Sequence, residues 1–156
     1  MDWWALCFAV GLCLTAVVAE GALSAKDLPQ WLASLKKPKF YAPMWVWIAA
    51  AIMTYAIQGI IAYRLIAHPV DVASVIALAA LISVMCANVA YNVVLARKQM
   101  PRLAYTGVLW FLPPLAVLQL ALLVADPISA ALNLIYVAWV VGYDVPIMRA
   151  LWKLNA

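Results

Sequence analysis

Apolar residues fill this chain in long runs, broken by short polar or proline-marked joints, instead of recurring at the spacing of an amphipathic surface helix. A run of roughly 20 apolar residues is long enough, as a helix, to cross the hydrocarbon core of a bilayer. Five runs reach that length, at about Trp3–Leu23, Met44–Ile66, Val70–Leu95, Leu103–Ala125 and Ile128–Met148. The pattern predicts an all-α membrane protein: a single bundle of five transmembrane helices in one domain over residues 1–156, with almost nothing outside the bilayer. The first joint differs from the others, because the stretch Trp31–Tyr55 begins basic, aromatic and proline-broken and then passes straight into the second span. Lys36, Lys37 and Lys39 suit a membrane surface, and Phe40, Tyr41, Trp45 and Trp47 suit the headgroup boundary. Pro38 and Pro43 fix the entry angle, since neither donates to a helix ladder. The expectation is a structured first loop, half anchor and half lid, with Trp31, Pro38, Phe40 and Pro43 as lid residues.

Composition agrees with this reading. Hydrophobic residues make up 70% of the chain and charged ones 10%, which leaves no room for a sizeable soluble domain. Ala22-Leu23-Ser24-Ala25 looks like a signal cleavage site, but Met1-Asp2 carries no basic residue and the apolar run is too long, so the first span reads as a retained helix. The net charge of +4 is too small and too spread out to suggest a nucleic-acid partner. Its placement bears on topology instead. Lys26, Lys36, Lys37 and Lys39 lie between spans one and two, Arg97, Lys98 and Arg102 between three and four, and Arg149 and Lys153 at the end. The other joints hold Arg64, His68 and Asp71, then Asp126. The positive-inside rule puts every basic-rich segment in the cytoplasm of a cell with this protein in a bacterial inner membrane, with the N-terminus outside and the C-terminus inside.

Polar residues within the spans are the candidate chemistry. Glu20 lies near the cytoplasmic end of span one, where it can reach the loop lysines or serve an ion-coupled transporter. In span two Trp47, Ala51, Tyr55 and Gln58 share a face, too polar at mid-depth to be turned to lipid. In span three Asn88, Tyr91, Asn92 and Leu95 share another, which reads either as interhelical glue or as the polar part of a ligand pocket. Span four has Trp110 and the Pro113-Pro114 pair, expected to break or kink the ladder unless neighbours resatisfy it and so to open space between helices. Span five carries the aromatic stripe Tyr136, Trp139 and Tyr143, followed by Asp144, which has Arg149 and Lys153 within reach. Val141, Tyr143 and Arg149 also fit the loose cholesterol-contact pattern. Cys7, Cys13 and Cys86 read as buried small residues, and with one histidine and no phosphate-cradling loop the chain predicts neither a metal site nor a cofactor.

Taken in order, these residues resemble the tryptophan-rich sensory protein/translocator protein (TspO/MBR) family, of which the chain looks like a divergent bacterial-type member. The match runs through Trp31, Leu35, Lys37, Pro38, Phe40, Pro43, Trp45, Val46, Tyr55, Gly59 and Ala62, then Asn88, Tyr136, Trp139 and Leu154-Asn155. Leu32 stands where the signature has Tyr, Ala42 where it has the first Pro of a pair, and Ala51 where it has the second-helix Trp. Tyr91 stands where the third helix usually has Trp, Val84 for a Gln, Ile135 for the Pro before Tyr136, and Pro146-Ile147 for a Leu-Asn pair. The resemblance implies a five-helix bundle, a homodimer, and binding of tetrapyrroles or other bulky apolar ligands. In the family the second-helix Trp is associated with light-dependent porphyrin breakdown, an activity that Ala51 removes from the expectation. Its lost ring implies a pocket that is wider, or filled by Trp47 or Tyr143.

The expected function is therefore binding of a tetrapyrrole, or of a polycyclic, sterol or isoprenoid-type lipid, between the helices for sensing, regulation or transfer. The expected partners are this hydrophobic small molecule, membrane lipids and a second copy of the chain. The expected pocket is Trp47, Ala51, Tyr55, Asn88, Tyr91, Trp110, Tyr136, Trp139 and Tyr143. Two alternatives stand beside it: an enzyme using Asp144 or Glu20 as its acid with the pocket rings, and a small ion-coupled transporter working through Glu20.

Overall fold

A computed structural model describes residues 2–23, 28–67 and 71–156. Lys26, the Ser24-Ala25 end of the signal-like site, His68 and Val70 lie outside them. Seven α-helices are present among the described residues: α1 (Trp3–Leu23), α2 (Leu28–Ser34), α3 (Met44–Ala67), α4 (Val72–Lys98), α5 (Pro101–Ala125), α6 (Pro127–Trp139) and α7 (Val145–Leu154). A π-helical turn, Val140–Asp144, joins α6 to α7, so these form one continuous span. Five helical segments are thus long and apolar enough to cross a membrane, as the hydropathy pattern predicts.

The helix ends follow local chemistry. Asp71 caps α4, its carboxylate accepting from the Ser74 N–H at 2.6 Å, and the contacts with Ser74 hold that carboxyl below the usual range. Gln99 closes α4 in the left-handed region, φ 48°, donating its backbone N–H to the Leu95 carbonyl. Pro101 and Pro127 extend their helices beyond the expected starts, because a proline costs nothing at a first-turn position whose N–H has no partner. At the other end, the fifth span runs past the expected Met148 to Leu154. There α7 becomes amphipathic, and a count of consecutive apolar residues ends too early. α2 was not foreseen; its seven residues sit inside what reads as loop.

Contacts close the spans into a ring: α1 on α3, α3 on α6, α6 and α7 on α5, α5 on α4, and α4 back on α1. Small residues let α1 approach α3, with the Cys13 thiol against Gly59 and donating to the Tyr55 carbonyl at 3.4 Å. Cys7 and Cys86, expected to be buried, point outward from the bundle. Helix α5 runs unbroken through Pro113 and Pro114. Trp110, one turn before them, is 81% exposed on the outer surface, which removes it from the expected pocket.

At the end away from the lysine-bearing loop, one cluster ties α3 to α6. Arg64 donates from Nε and one terminal nitrogen to the two Asp126 oxygens, at 2.7 and 3.0 Å. Ser129 adds a hydroxyl at 2.6 Å and Ile128 its backbone N–H at 3.3 Å. Asp126 therefore ends α5, starts α6 and pairs with α3. The Arg64 guanidinium, with help from Ser129, holds its carboxyl well below the usual carboxylate range. A depressed native value means that the stabilisation is present above the unfolded aspartate value, about 3.9, and is lost as pH falls toward the native one. Asp126→Asn is expected to cost about 1.5–3 kcal/mol at neutral pH. It should also flatten the acid limb of thermal unfolding in detergent. An unchanged midpoint and acid limb would show that the cluster is solvated and weak.

Candidate functional site

The first loop crosses one end of the ring and is bolted to the fifth span. Ala42 donates its backbone N–H to the Tyr143 hydroxyl at 2.7 Å, and that hydroxyl donates to the Phe40 carbonyl at 3.0 Å. Asn155 repeats the arrangement at the other edge. Its side-chain carbonyl accepts from the Lys36 N–H, and its amide donates to the Lys36 and Leu151 carbonyls, all at 2.8–2.9 Å. The Trp47 indole donates to the Ala42 carbonyl at 3.2 Å, fastening the start of α3 to the same loop. Trp31 and Leu35 pack on the core, whereas Phe40, 77% exposed, turns outward. Pro38 is half-buried and Pro43 exposed, immediately before α3.

Beneath this loop lies a cavity of about 300 Å³. Trp47, Ala51 and Tyr55 line it from α3, and Asn88, Tyr91, Asn92 and Leu95 from α4. Tyr136, Trp139, Asp144 and Met148 line it from the fifth span, Glu20 from α1, and Leu28, Leu32 and Tyr41 from the loop region. Both of the one-sided helix faces read from the sequence thus turn inward. Tyr143 does not line the cavity. It is one residue out of phase with Asp144, and its ring packs instead on Trp139 and Trp47, at centroid separations of 4.7 and 5.7 Å. Val141 faces outward while Tyr143 is committed to the loop, so the cholesterol-pattern residues do not form one surface.

Glu20 is held from two helices. Tyr55 donates its hydroxyl to one oxygen at 2.7 Å, and Asn92 its amide to the other at 3.0 Å. The Asn88 amide approaches the Tyr55 hydroxyl at 3.5 Å. Among the described residues, no lysine pairs with Glu20. Asp144 differs. Its Oδ1 is shut away from solvent with no hydrogen-bond partner, and neither Arg149 nor Lys153 pairs with it. The π-helical turn produces this placement, because five residues in a wider turn rotate Asp144 inward just before Pro146.

The cavity is open on one side. Met44, Ile48 and Ala51, all on α3, line it and are exposed. The alanine at 51 leaves a gap that neither Trp47 nor Tyr143 fills. Trp47 stands at the loop end, in edge contact with Trp139 at 6.0 Å. One turn below Tyr55, Gln58 is fully buried with both amide atoms unpartnered. Gly107 was not singled out from the sequence, yet the Tyr91 ring lies so close that any Cβ there would overlap it. Tyr91 spends its hydroxyl on the Ala104 carbonyl at 3.1 Å, which leaves only its ring for the cavity. A lone glycine in an apolar span was the available signal.

Comparison with known proteins agrees with this architecture. A family model described as the TspO/MBR family matches residues 9–145. The chain belongs to the TspO/MBR family. No curated protein sequence matches it. The matched residues take in both the basic, aromatic first loop and Ala51 beside the opening.

Tyr143→Phe removes two loop hydrogen bonds, worth about 1 kcal/mol each. Amide hydrogen exchange over residues 36–43 is expected to rise by roughly tenfold or more, and unchanged exchange would mean that the loop is held by packing alone.

Proposed function

We propose that this TspO/MBR membrane protein binds a bulky, largely apolar ligand, a tetrapyrrole or a polycyclic or isoprenoid lipid, in the cavity beneath its first loop. The observation that carries the reading is the aromatic cavity itself, closed at one end by a hydrogen-bonded loop and open at the side along Met44, Ile48 and Ala51. Apolar walls with a few convergent polar groups are the usual make-up of a small-molecule site. The cavity stands at the lower end of ligand-pocket volumes, roughly 300–1,000 Å³, so a compact polycyclic body fits within it and a macrocycle would extend through the side. A side opening on a membrane-spanning helix suits a ligand that arrives from the lipid phase. Sensing, regulation and transfer all begin with this binding step.

The loop end is proposed to face the cytoplasm of a bacterial inner membrane, because Lys36, Lys37, Lys39, Arg97, Lys98, Arg102, Arg149 and Lys153 all fall at that end of the spans. Homodimerisation is carried over from the family resemblance. A second reading, chemical conversion of the bound ligand, is favoured by one observation, the unpartnered Asp144 oxygen at the cavity. Product formation that disappears in Asp144→Asn while binding persists would support it, and an unaltered ligand after incubation in light and dark would exclude it.

Binding is read by tryptophan fluorescence, since Trp47 and Trp139 line the site. Protoporphyrin or 1-methylpyrene is expected to quench saturably at one site per chain; linear, non-saturating quenching by both would defeat the proposal. Ala51→Trp restores a wall at the side opening and is expected to tighten binding of 1-methylpyrene, a compact body that fits within the cavity, by about tenfold. Weaker binding would mean that the ligand needs the space left by the small side chain.

A further inference from the structure

We propose that the Asp144 end of the cavity selects ligands carrying a protonated amine, or a similar cationic nitrogen, on their polycyclic apolar body; this rests on the cavity being the ligand site. Two carboxyl groups reach the cavity, and they are not equivalent. Both Glu20 oxygens are already served, by Tyr55 and Asn92. Asp144 Oδ1 is buried and has no hydrogen-bond partner, which sets it apart from both Glu20 oxygens. A buried acceptor in an apolar site favours any ligand that brings its own N–H, and a charged donor favours it most.

The surroundings point the same way. No lysine, arginine or histidine is among the described residues lining the cavity. Trp47, Tyr91, Tyr136 and Trp139 line the same space as Asp144, and aromatic faces attract a cation in a site with little water. The basic charge is on the closing loop instead, where Lys37 Nζ lies 5.7 Å from the Tyr41 ring centroid. A carboxylate placed beside Asp144 would share the cavity with two carboxyls, Asp144 and Glu20, and with no lining cation among the described residues.

The test uses the full chain in phosphatidylcholine nanodiscs with three probes of one skeleton, 1-pyrenemethylamine, 1-methylpyrene and 1-pyrenecarboxylate, read by saturable tryptophan quenching. The amine is expected to bind at least about tenfold more tightly than the methyl probe, and the carboxylate most weakly. In Asp144→Asn, with folding checked by circular dichroism, the amine-to-methyl ratio should fall to within about twofold. Equal binding of amine and methyl probes by the wild-type chain overturns the selectivity and leaves the apolar site standing. Binding of none of the three overturns the site as well. A full amine preference retained in the folded variant overturns the role of Asp144. If that variant does not fold, the wild-type ranking of the probes decides.

Discussion

Hydrocarbon supplies no hydrogen bonds, so a carboxyl group on a membrane-spanning helix has to be served by its neighbours. Glu20 meets this constraint with one donor from α3 and one from α4, and Asn88 extends the set toward Tyr55. Otherwise α1 is an almost uniformly apolar helix with few buried residues, and the Glu20 network, with Arg97 Nε donating to the Leu23 carbonyl at 3.3 Å, attaches it to the bundle near the loop end. At the far end Asp126 plays the equivalent part for α3 and α6, with the Arg64 guanidinium bound bidentately. Polar contacts therefore pin the spans near their two ends, while Leu, Ala and Val packing fills the middle.

The cavity follows from what these contacts leave out. On the α3 side Ala51 presents too little bulk to meet the fifth span, and on the fifth span the π-helical turn places Asp144 where an ordinary turn would put a different residue. The loop then closes one end without filling the space, since Tyr143 and Asn155 hold it by its backbone. A loop held by backbone hydrogen bonds can change its side chains without losing its position. Ala42 shows this, since its backbone N–H and carbonyl carry two of the contacts.

Much of this was legible in the sequence. The five spans are set by run length, and the inward faces of α3 and α4 by the spacing of Trp47, Ala51 and Tyr55 and of Asn88, Tyr91 and Asn92. In each case a polar residue at mid-depth had to avoid lipid. Tyr143 and Trp110 were misread for opposite reasons. Spacing put Tyr143 in the stripe with Tyr136 and Trp139, but regular spacing assumes a regular helix, and the π turn intervenes. Trp110 was drawn inward by its ring and the neighbouring prolines, whereas an apolar ring is equally at home in lipid. The partners of Glu20 were missed because nearness along the chain pointed to the loop lysines, while the actual donors are 35 and 72 residues away.

The most direct measurement is native mass spectrometry of the protein released gently from its own membranes. A ligand held beneath the loop predicts a discrete small-molecule adduct, one per chain, of a mass distinct from the phospholipids and displaced by excess 1-methylpyrene. Bare protein, or protein carrying only a phospholipid ladder that 1-methylpyrene leaves unchanged, would contradict a ligand site in this cavity.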